Sequence, residues 1–156
     1  MKIRRADRTD ADAIGTMLSA LLSELYPDLA ADYRPDRVTD TARSMLVDDS
    51  YHAFVAVMPD GQIGGVVGLN ECKAIYAHGA FGEIAELYVK PEYRSAKVGK
   101  QLIQASVALA HARGWSMLEV GAPDVPRWQR TVDFYLRTGF KEVGPRLYLD
   151  LGKSHA

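Results

Sequence analysis

One stretch of the chain, residues 81–113, combines a strand, a basic turn and a helix in that order. Residues 83–89 alternate polar and apolar side chains, with an irregularity at residues 84–85, and are rich in strand formers. Pro91 ends the strand because proline lacks the backbone donor of a sheet ladder. Apolar residues then recur at helical spacing as far as Gly114, a suitable left-handed helix end. Since helix amides beside cations attract anions, the turn predicts a phosphate-bearing ligand.

This turn resembles the acetyl-CoA-binding motif of the GNAT superfamily of N-acetyltransferases. In that motif a strand ending in an apolar residue, any residue and Val is followed by Pro and then by Arg or Gln-x-x-Gly-x-Gly or Ala. The resemblance implies a cofactor site made of Leu87, Tyr88, Val89, Arg94, Ser95, Ala96, Lys97, Val98, Gly99 and Lys100. The chain departs from the motif at Lys97, because the family has a glycine there that lets the backbone approach the pyrophosphate.

A second motif lies further along the chain, in residues 134–140. GNAT enzymes commonly carry Phe-Tyr-x-x-x-Gly-Phe there, and its tyrosine usually faces the CoA sulfur. The resemblance implies that Tyr135 protonates the departing thiolate. Two neighbouring positions depart from the family, since Trp128 replaces an asparagine and Thr131 replaces an alanine.

The whole chain adds a fold prediction. Its patterns predict strands at 2–5, 51–57, 63–72, 83–89, 115–120, 140–143 and 147–151, and helices beginning near Thr9, Pro35, Val98 and Arg127. The resemblance implies a mixed α/β fold with a central twisted, mostly antiparallel sheet flanked by helices. In this fold the strands at 83–89 and 115–120 are parallel and splay apart to form the CoA cleft. Residues 1–152 are expected to form one domain and residues 153–156 a frayed tail.

Composition limits the classes of partner and compartment. The chain has 156 residues, of which 47% are hydrophobic and 25% charged, as in ordinary globular proteins. Its formal net charge of −1 gives no electrostatic reason to expect nucleic acid or a membrane surface as partner. The sequence shows no signal peptide or membrane span, and its single cysteine, Cys72, suits the cytoplasm. We expect a monomer or homodimer without a metal.

Acetyl transfer to an amine requires a base, because an alkyl amine has a pKa of about 10.4 and must lose a proton before it attacks. Glu86 and Glu83 are the candidates. Glu86 ranks first because an acidic residue commonly precedes the apolar-x-Val strand end in the family. A surface carboxylate paired with Lys or Arg is the alternative for either residue. A backbone N–H of residues 87–89, freed by a splayed or bulged strand, would polarise the thioester carbonyl.

The loop between the first two helices is the candidate acceptor site. The family places the corresponding loop beside the acceptor, and loops carry binding residues disproportionately. The substrate-contact candidates are Tyr26, Asp28, Asp32 and Tyr33. A solvated connector with two partly packed tyrosines is the alternative.

These features predict an N-acetyltransferase that moves the acetyl group of acetyl-CoA to a primary amine of a small molecule or a protein. An acetyl-CoA-binding sensor without turnover is the alternative, favoured by the lost glycine at Lys97. A doubly wound nucleotide-binding protein is a third class. It requires a glycine-rich turn after the first strand, and residues 6–9 are not one.

Overall fold

The computed structural model describes residues 1–152, so the predicted tail at 153–156 lies outside the described residues. Contacts divide the chain into one unit at Met1–Val120 and a second that begins at Gly121. The first unit contains β1 (Lys2–Arg5), α1 (Ala11–Leu25), α2 (Pro35–Met45), β2 (Tyr51–Val57), β3 (Ile63–Ala74), β4 (Gly79–Val89), α3 (Val98–Arg113) and β5 (Leu118–Val120). The second contains α4 (Gln129–Arg137). None of the helices in residues 1–152 combines the length and apolar content needed to cross a membrane.

The five strands form one sheet in the order β1-β2-β3-β4-β5. The first three pairings are antiparallel, whereas β4 and β5 are parallel. The parallel register joins Gly82 to Leu118 and Ile84 to Val120. This arrangement confirms the predicted mixed sheet and the predicted parallel pairing of the central strand with the strand that follows α3.

Helices cover both faces of this sheet. On one face, α1 and α2 pack through Ile14, Met17 and Ala42 into a buried cluster with alternate residues of β2, β3 and β4. On the other face, the side chains of Val98 and Leu102 from α3 pack closely over Gly65 of β3, where a Cβ on that glycine would point. Because strand side chains alternate between faces, each inward-facing residue belongs to one of these two cores.

The predicted strands at 140–143 and 147–151 are wrong for the described residues. No strand pairing involves residues 140–152 within the described part of the chain. The side chains of Val143, Leu147 and Leu149 are 93%, 92% and 80% exposed. Alternating apolar residues form a strand only where a neighbouring strand takes up the backbone hydrogen bonds. Residues 140–152 have no such neighbouring strand in the described part of the chain. The strand predicted from Trp115 also begins later, at Leu118.

The predicted first helix starts differently from the sequence pattern. It does not begin at Thr9 as an α-helix. Instead Arg8–Asp10 forms a 3-10 turn whose cap is Asp7, and α1 begins at Ala11. The Asp7 carboxylate accepts from the Thr9 amide at 2.8 Å, and Asp10 accepts from the Asp7 amide at 2.9 Å. These two reciprocal hydrogen bonds form a capping box. Because the first turn is a 3-10 turn, the cap lies at Asp7, upstream of the α-helix.

Replacing Asp10 with asparagine should lower the free energy of unfolding by about 2–3 kcal/mol. Asp10 is only 5% exposed, and it accepts two hydrogen bonds from the Arg4 guanidinium at 2.8 Å each. The amide keeps the shape of the side chain but removes the charge that balances Arg4. Urea unfolding measures the loss, and Asp12→Asn is the matched control because the ion pair of Asp12 with Arg43 is exposed.

The effect should depend on pH with a defined sign. The hydrogen bonds from Arg4 hold the pKa of Asp10 below its usual value. The contribution of Asp10 is therefore fully present above the unfolded-state pKa of about 3.9 and disappears as the pH falls through the lower folded value. An equal loss for Asp10→Asn and Asp12→Asn near neutral pH would contradict this account.

Candidate active site

A β-bulge in β4 organises the candidate site. In the ladder with β3, Ile84 and Glu86 pair with two adjacent residues of β3, so Ala85 between them is an extra residue in β4. Ala85 is exposed. Residues three apart on a regular strand point to opposite faces, but an extra residue shifts the alternation by one. The bulge therefore brings Glu83 and Glu86, the two candidate bases, to the same face. The irregularity in the sequence pattern at residues 84–85 marks the position of this bulge.

Glu86 is partly buried and is held by a tyrosine from β2. The Tyr51 hydroxyl donates to Oε2 of Glu86 at 3.0 Å, and Tyr51 is itself 7% exposed. Burial raises the pKa of Glu86, the hydrogen bond from Tyr51 lowers it, and the charge of Glu83 raises it. Together these effects raise the pKa of Glu86, which makes its carboxylate a stronger base than an exposed one.

A glycine on β3 makes room for this pair. Gly68 lies opposite Glu86 in the ladder, and a Cβ at Gly68 would overlap the Tyr51 hydroxyl and the Glu86 carboxylate. Glycines inside a strand are typical of a bulge or of a close backbone approach, and both are present here. Gly64 is the extra residue opposite the end of β2, and Gly68 allows the close approach.

The pairing of β4 with β5 ends early. Its last pair is Ile84 with Val120, so within the described residues the continuation of β4 at 85–89 has no partner in β5. Separation of the two parallel strands beyond this point stays a prediction. It leaves residues 87–89 as candidate donors to a thioester oxygen, a role that remains a prediction.

The basic turn opens α3 as the sequence predicted. The first turn of α3 contains no acidic residue, and the N-cap residue, Lys97, makes no capping hydrogen bond through its side chain. Lys97 has a φ of 61° and Ser95 a φ of 75°, both in the left-handed region that favours glycine. Lys97 thus keeps the backbone shape for which the family motif uses glycine. The uncapped amides suit an anion such as a pyrophosphate.

Arg94 ties this turn to the strand. Its Nε donates to the carbonyl of Val89 at 2.9 Å, and its guanidinium lies 5.5 Å from the centre of the Tyr88 ring. It also lies 3.6 Å from the carboxylate of Glu24 on α1. These contacts give Arg94 a positioning role. The exposed side chains of Lys97 and Lys100 are then the cations we expect to face a bound phosphate.

We expect Lys97→Gly to leave the affinity for acetyl-CoA within a few fold of wild type. The substitution removes a cation but also removes the cost of a left-handed non-glycine residue, which is about 1–2 kcal/mol. Part of that gain is lost to the greater freedom of glycine in the unfolded chain. Calorimetric titration with acetyl-CoA measures the change. A loss beyond tenfold, about 1.4 kcal/mol, would instead make the lysine side chain a principal contact.

The candidate acceptor loop is an ordered connection between α1 and α2. Tyr26 ends α1 and is 49% exposed, and Asp28 lies in the short 3-10 turn Pro27–Leu29. The rings of Tyr26 and Tyr33 lie 6.1 Å apart, and the Ser19 hydroxyl donates to the carbonyl of Tyr33. The loop thus presents aromatic and acidic groups together. Their contact with an acceptor remains a prediction.

Tyr135 belongs to the second unit, on α4. It is buried, and its ring makes edge-type contacts with Phe134 at 5.3 Å and Phe140 at 5.4 Å. Burial raises the pKa of Tyr135 to about 12, so its hydroxyl keeps its proton at neutral pH. This is the state that a proton donor requires. Its role toward the thiolate remains a prediction.

The sequence did not reveal Tyr51 as a partner of Glu86. Because Tyr51 points toward Glu86, its neighbour His52 points to the other face of the sheet. There His52 is 2% exposed, receives a hydrogen bond at Nδ1 from Arg5 at 2.7 Å, and lies beside Trp115. Thirty-five residues separate Tyr51 from Glu86, so no local pattern could link them. Gly68 was the available signal.

The family model described as an acetyltransferase (GNAT) domain matches residues 49–142, more than half of the chain. The match includes the bulged strand, the basic turn and the tyrosine motif. The chain therefore belongs to the GNAT family of acetyltransferases. The predicted assignment as an N-acetyltransferase is confirmed, and nothing in the matches supports the non-catalytic alternative.

Relatives and solved structures agree with this assignment. The aminoalkylphosphonate N-acetyltransferase of Salmonella typhimurium is 28% identical over 141 residues, covering 90% of this chain and 85% of that protein. The ribosomal-protein-alanine N-acetyltransferase of Brucella melitensis biovar Abortus is 22% identical, with a TM-score of 0.76 and coverage of 97% and 99%. An aminoglycoside acetyltransferase from an uncultured soil sample is 22% identical, with a TM-score of 0.75 and coverage of 98% of each chain. The two structures show a shared fold.

Proposed function

We propose that this protein transfers the acetyl group of acetyl-CoA to a primary amine of a small molecule, with Glu86 as the general base. The proposal rests on one observation above all. A bulge turns Glu86 to the same face as Glu83, and Tyr51 holds the partly buried carboxylate at 3.0 Å. Acetyl-CoA is the cosubstrate of GNAT acetyltransferases as a family.

The reaction assigns a task to each group. The carboxylate of Glu86 takes a proton from the acceptor ammonium, directly or through one water. The neutral nitrogen then bonds to the acetyl carbonyl carbon, the bond from that carbon to sulfur breaks, and the nitrogen releases its second proton to solvent. Backbone N–H groups of residues 87–89 stabilise the oxyanion. The Tyr135 hydroxyl gives its proton to the departing thiolate and recovers one from solvent. Direct attack needs no covalent intermediate with the protein.

The turn at residues 94–100 would hold the cosubstrate away from the reacting atoms. Several features fit a pyrophosphate: uncapped amides at the start of α3, no acidic residue in the first turn, and exposed cationic side chains at Lys97 and Lys100. The hydrogen bond from Arg94 to the end of β4 fixes the position of this turn relative to that strand. The single cysteine is consistent with work in a reducing cytoplasm.

A small amine is favoured over a protein as the acceptor. The relative that acts on aminoalkylphosphonates is similar along 90% of this chain, whereas likeness to the ribosomal-protein enzyme reflects the fold alone. Carboxylates at Glu83 and Glu86 suit an acceptor that arrives as an ammonium ion. Tyr26, Asp28 and Tyr33 are the proposed contacts at the other end of the acceptor.

A CoA-release assay with a panel of amines tests this function. The panel contains an aminoalkylphosphonate, an aminoglycoside, a polyamine and a peptide with a free N-terminal alanine. We expect amine-dependent release of CoA thiol together with an N-acetylated product identified by mass spectrometry. Tight binding of acetyl-CoA without release above the rate of hydrolysis for any amine would contradict transfer and favour the sensing alternative.

A further inference from the structure

We propose that Tyr51 is a positioning residue that orients Glu86 and keeps its carboxylate ionised. The inference rests on the proposed role of Glu86 as base. It adds a residue from β2, outside both family motifs, to the machinery of the reaction. The geometry points to this role because the hydroxyl meets one defined oxygen of the carboxylate, Oε2, at 3.0 Å.

Three elements of the sheet build this contact. β2 supplies Tyr51 at its first residue, β4 supplies Glu86 directly after the bulge, and β3 supplies Gly68 between them. Any side chain at Gly68 would occupy the space in which the hydroxyl and carboxylate meet. The bulge at Ala85 is equally necessary, since a regular strand that placed Glu83 on this face would turn Glu86 to the other.

The hydroxyl has a fixed direction of donation. Tyr51 is buried, and burial together with the charge of Glu86 raises its pKa above the ordinary value. Its proton therefore stays on the phenol oxygen, and donation of that proton to Oε2 favours the charged form of the acceptor carboxylate. Without this donor, burial alone would push Glu86 toward the protonated form, which cannot accept a proton from an amine.

A carboxylate on the same strand opposes the hydroxyl. Glu83 stands on the same face of β4, and its charge raises the pKa of Glu86. Glu119 of β5 is the register partner of Glu83. From α1, Glu24 approaches the neighbouring Arg94. Tyr51 is thus the group whose hydrogen bond favours an ionised Glu86, against burial and the charge of Glu83.

The test is the pH dependence of kcat/KM for wild type, Tyr51→Phe and Glu86→Gln with one amine acceptor. The acid limb of this profile reports the pKa of the base in the free enzyme. Tyr51→Phe deletes one atom and should shift the limb upward by about one pH unit, which is tenfold in rate at acid pH. On the alkaline side of the limb its rate should approach that of wild type. The amine itself also loses a proton, near its own pKa of about 10.4, and this second limb should be the same in all variants.

Tyr93→Phe is the matched control because it deletes a hydroxyl that bonds to Asp60 at the β2–β3 turn. Its acid limb should coincide with that of wild type. An NMR titration of isotope-labelled glutamate carboxyls provides a readout without any acceptor, and it should show the same upward shift of the Glu86 pKa in Tyr51→Phe.

The outcomes separate this inference from the proposed function. An unmoved limb in Tyr51→Phe, with a limb that disappears in Glu86→Gln, would overturn the role of Tyr51 and leave Glu86 as base. A limb at the pH assigned to the base, below the limb of the amine itself, would overturn the role of Glu86 and that of Tyr51 with it if it persists in Glu86→Gln or is missing from wild type. An upward shift confined to Tyr51→Phe supports both.

Discussion

Glu86→Gln should lower kcat for amine acetylation by about a hundred- to ten-thousand-fold, the usual contribution of general acid–base catalysis. Glutamine has the size of glutamate and can still accept the hydrogen bond from Tyr51, so the local fold should survive. It cannot accept the proton that an alkyl ammonium must lose. Acetyl-CoA affinity should stay within a few fold, because the proton transfer belongs to the transition state. Steady-state kinetics and calorimetry measure the two effects.

Glu83→Gln is the matched control for this prediction. Glu83 shares the face of Glu86 but precedes the bulge and pairs in register with Glu119 of β5. We expect its kcat to fall only a few fold, through the weaker attraction for an ammonium ion. The opposite order, with Glu83→Gln the more damaging, would assign the base to Glu83. Unchanged kcat in both variants would remove these two carboxylates from this step.

Tyr135→Phe should lower kcat by about a hundredfold, near the lower end of the range for a general acid. The ring and its contacts with Phe134 and Phe140 remain, so α4 keeps its packing. The effect falls at the lower end because a CoA thiol has a pKa near the cysteine value of about 8.5, which makes the thiolate a tolerable leaving group. Binding of acetyl-CoA should be unchanged.

The matched control is Tyr148→Phe, which deletes a hydroxyl from a side chain that is 87% exposed in the same unit. Its kcat should equal that of wild type. If Tyr135→Phe also keeps the wild-type kcat with intact acetyl-CoA binding, then Tyr135 serves only in packing.

The parts of the fold that local patterns encode could be predicted. The helix from Val98 ends at Gly114, which has a φ of 68° as its pattern predicts, and the helix at Pro35 begins where proline suits the first turn. The pairing of the central strand with the strand after α3 could be predicted only through the family resemblance. Apolar alternation at residues 147–151 was misleading because it does not reveal whether a neighbouring strand is present.

The candidate site was predictable residue by residue but not as an arrangement. The sequence named Glu83 and Glu86, yet regular alternation would have put them on opposite faces. The bulge that unites them depends on the register between β3 and β4. The contact of Tyr51 with Glu86 likewise depends on the order of three strands and on the lack of a side chain at Gly68. Such contacts arise from pairing between distant segments, which no local pattern records.

A crystal structure with bound CoA tests the central claim most directly, namely that the bulged strand and the basic turn form one acetyl-transfer site. The account predicts the pyrophosphate on the amides of residues 95–100 and the pantetheine along residues 87–89. It also predicts that the sulfur lies on the Glu86 side, within reach of the carboxylate through an amine or one water. CoA bound away from this turn, or a sulfur on the α3 face of the sheet, would contradict it.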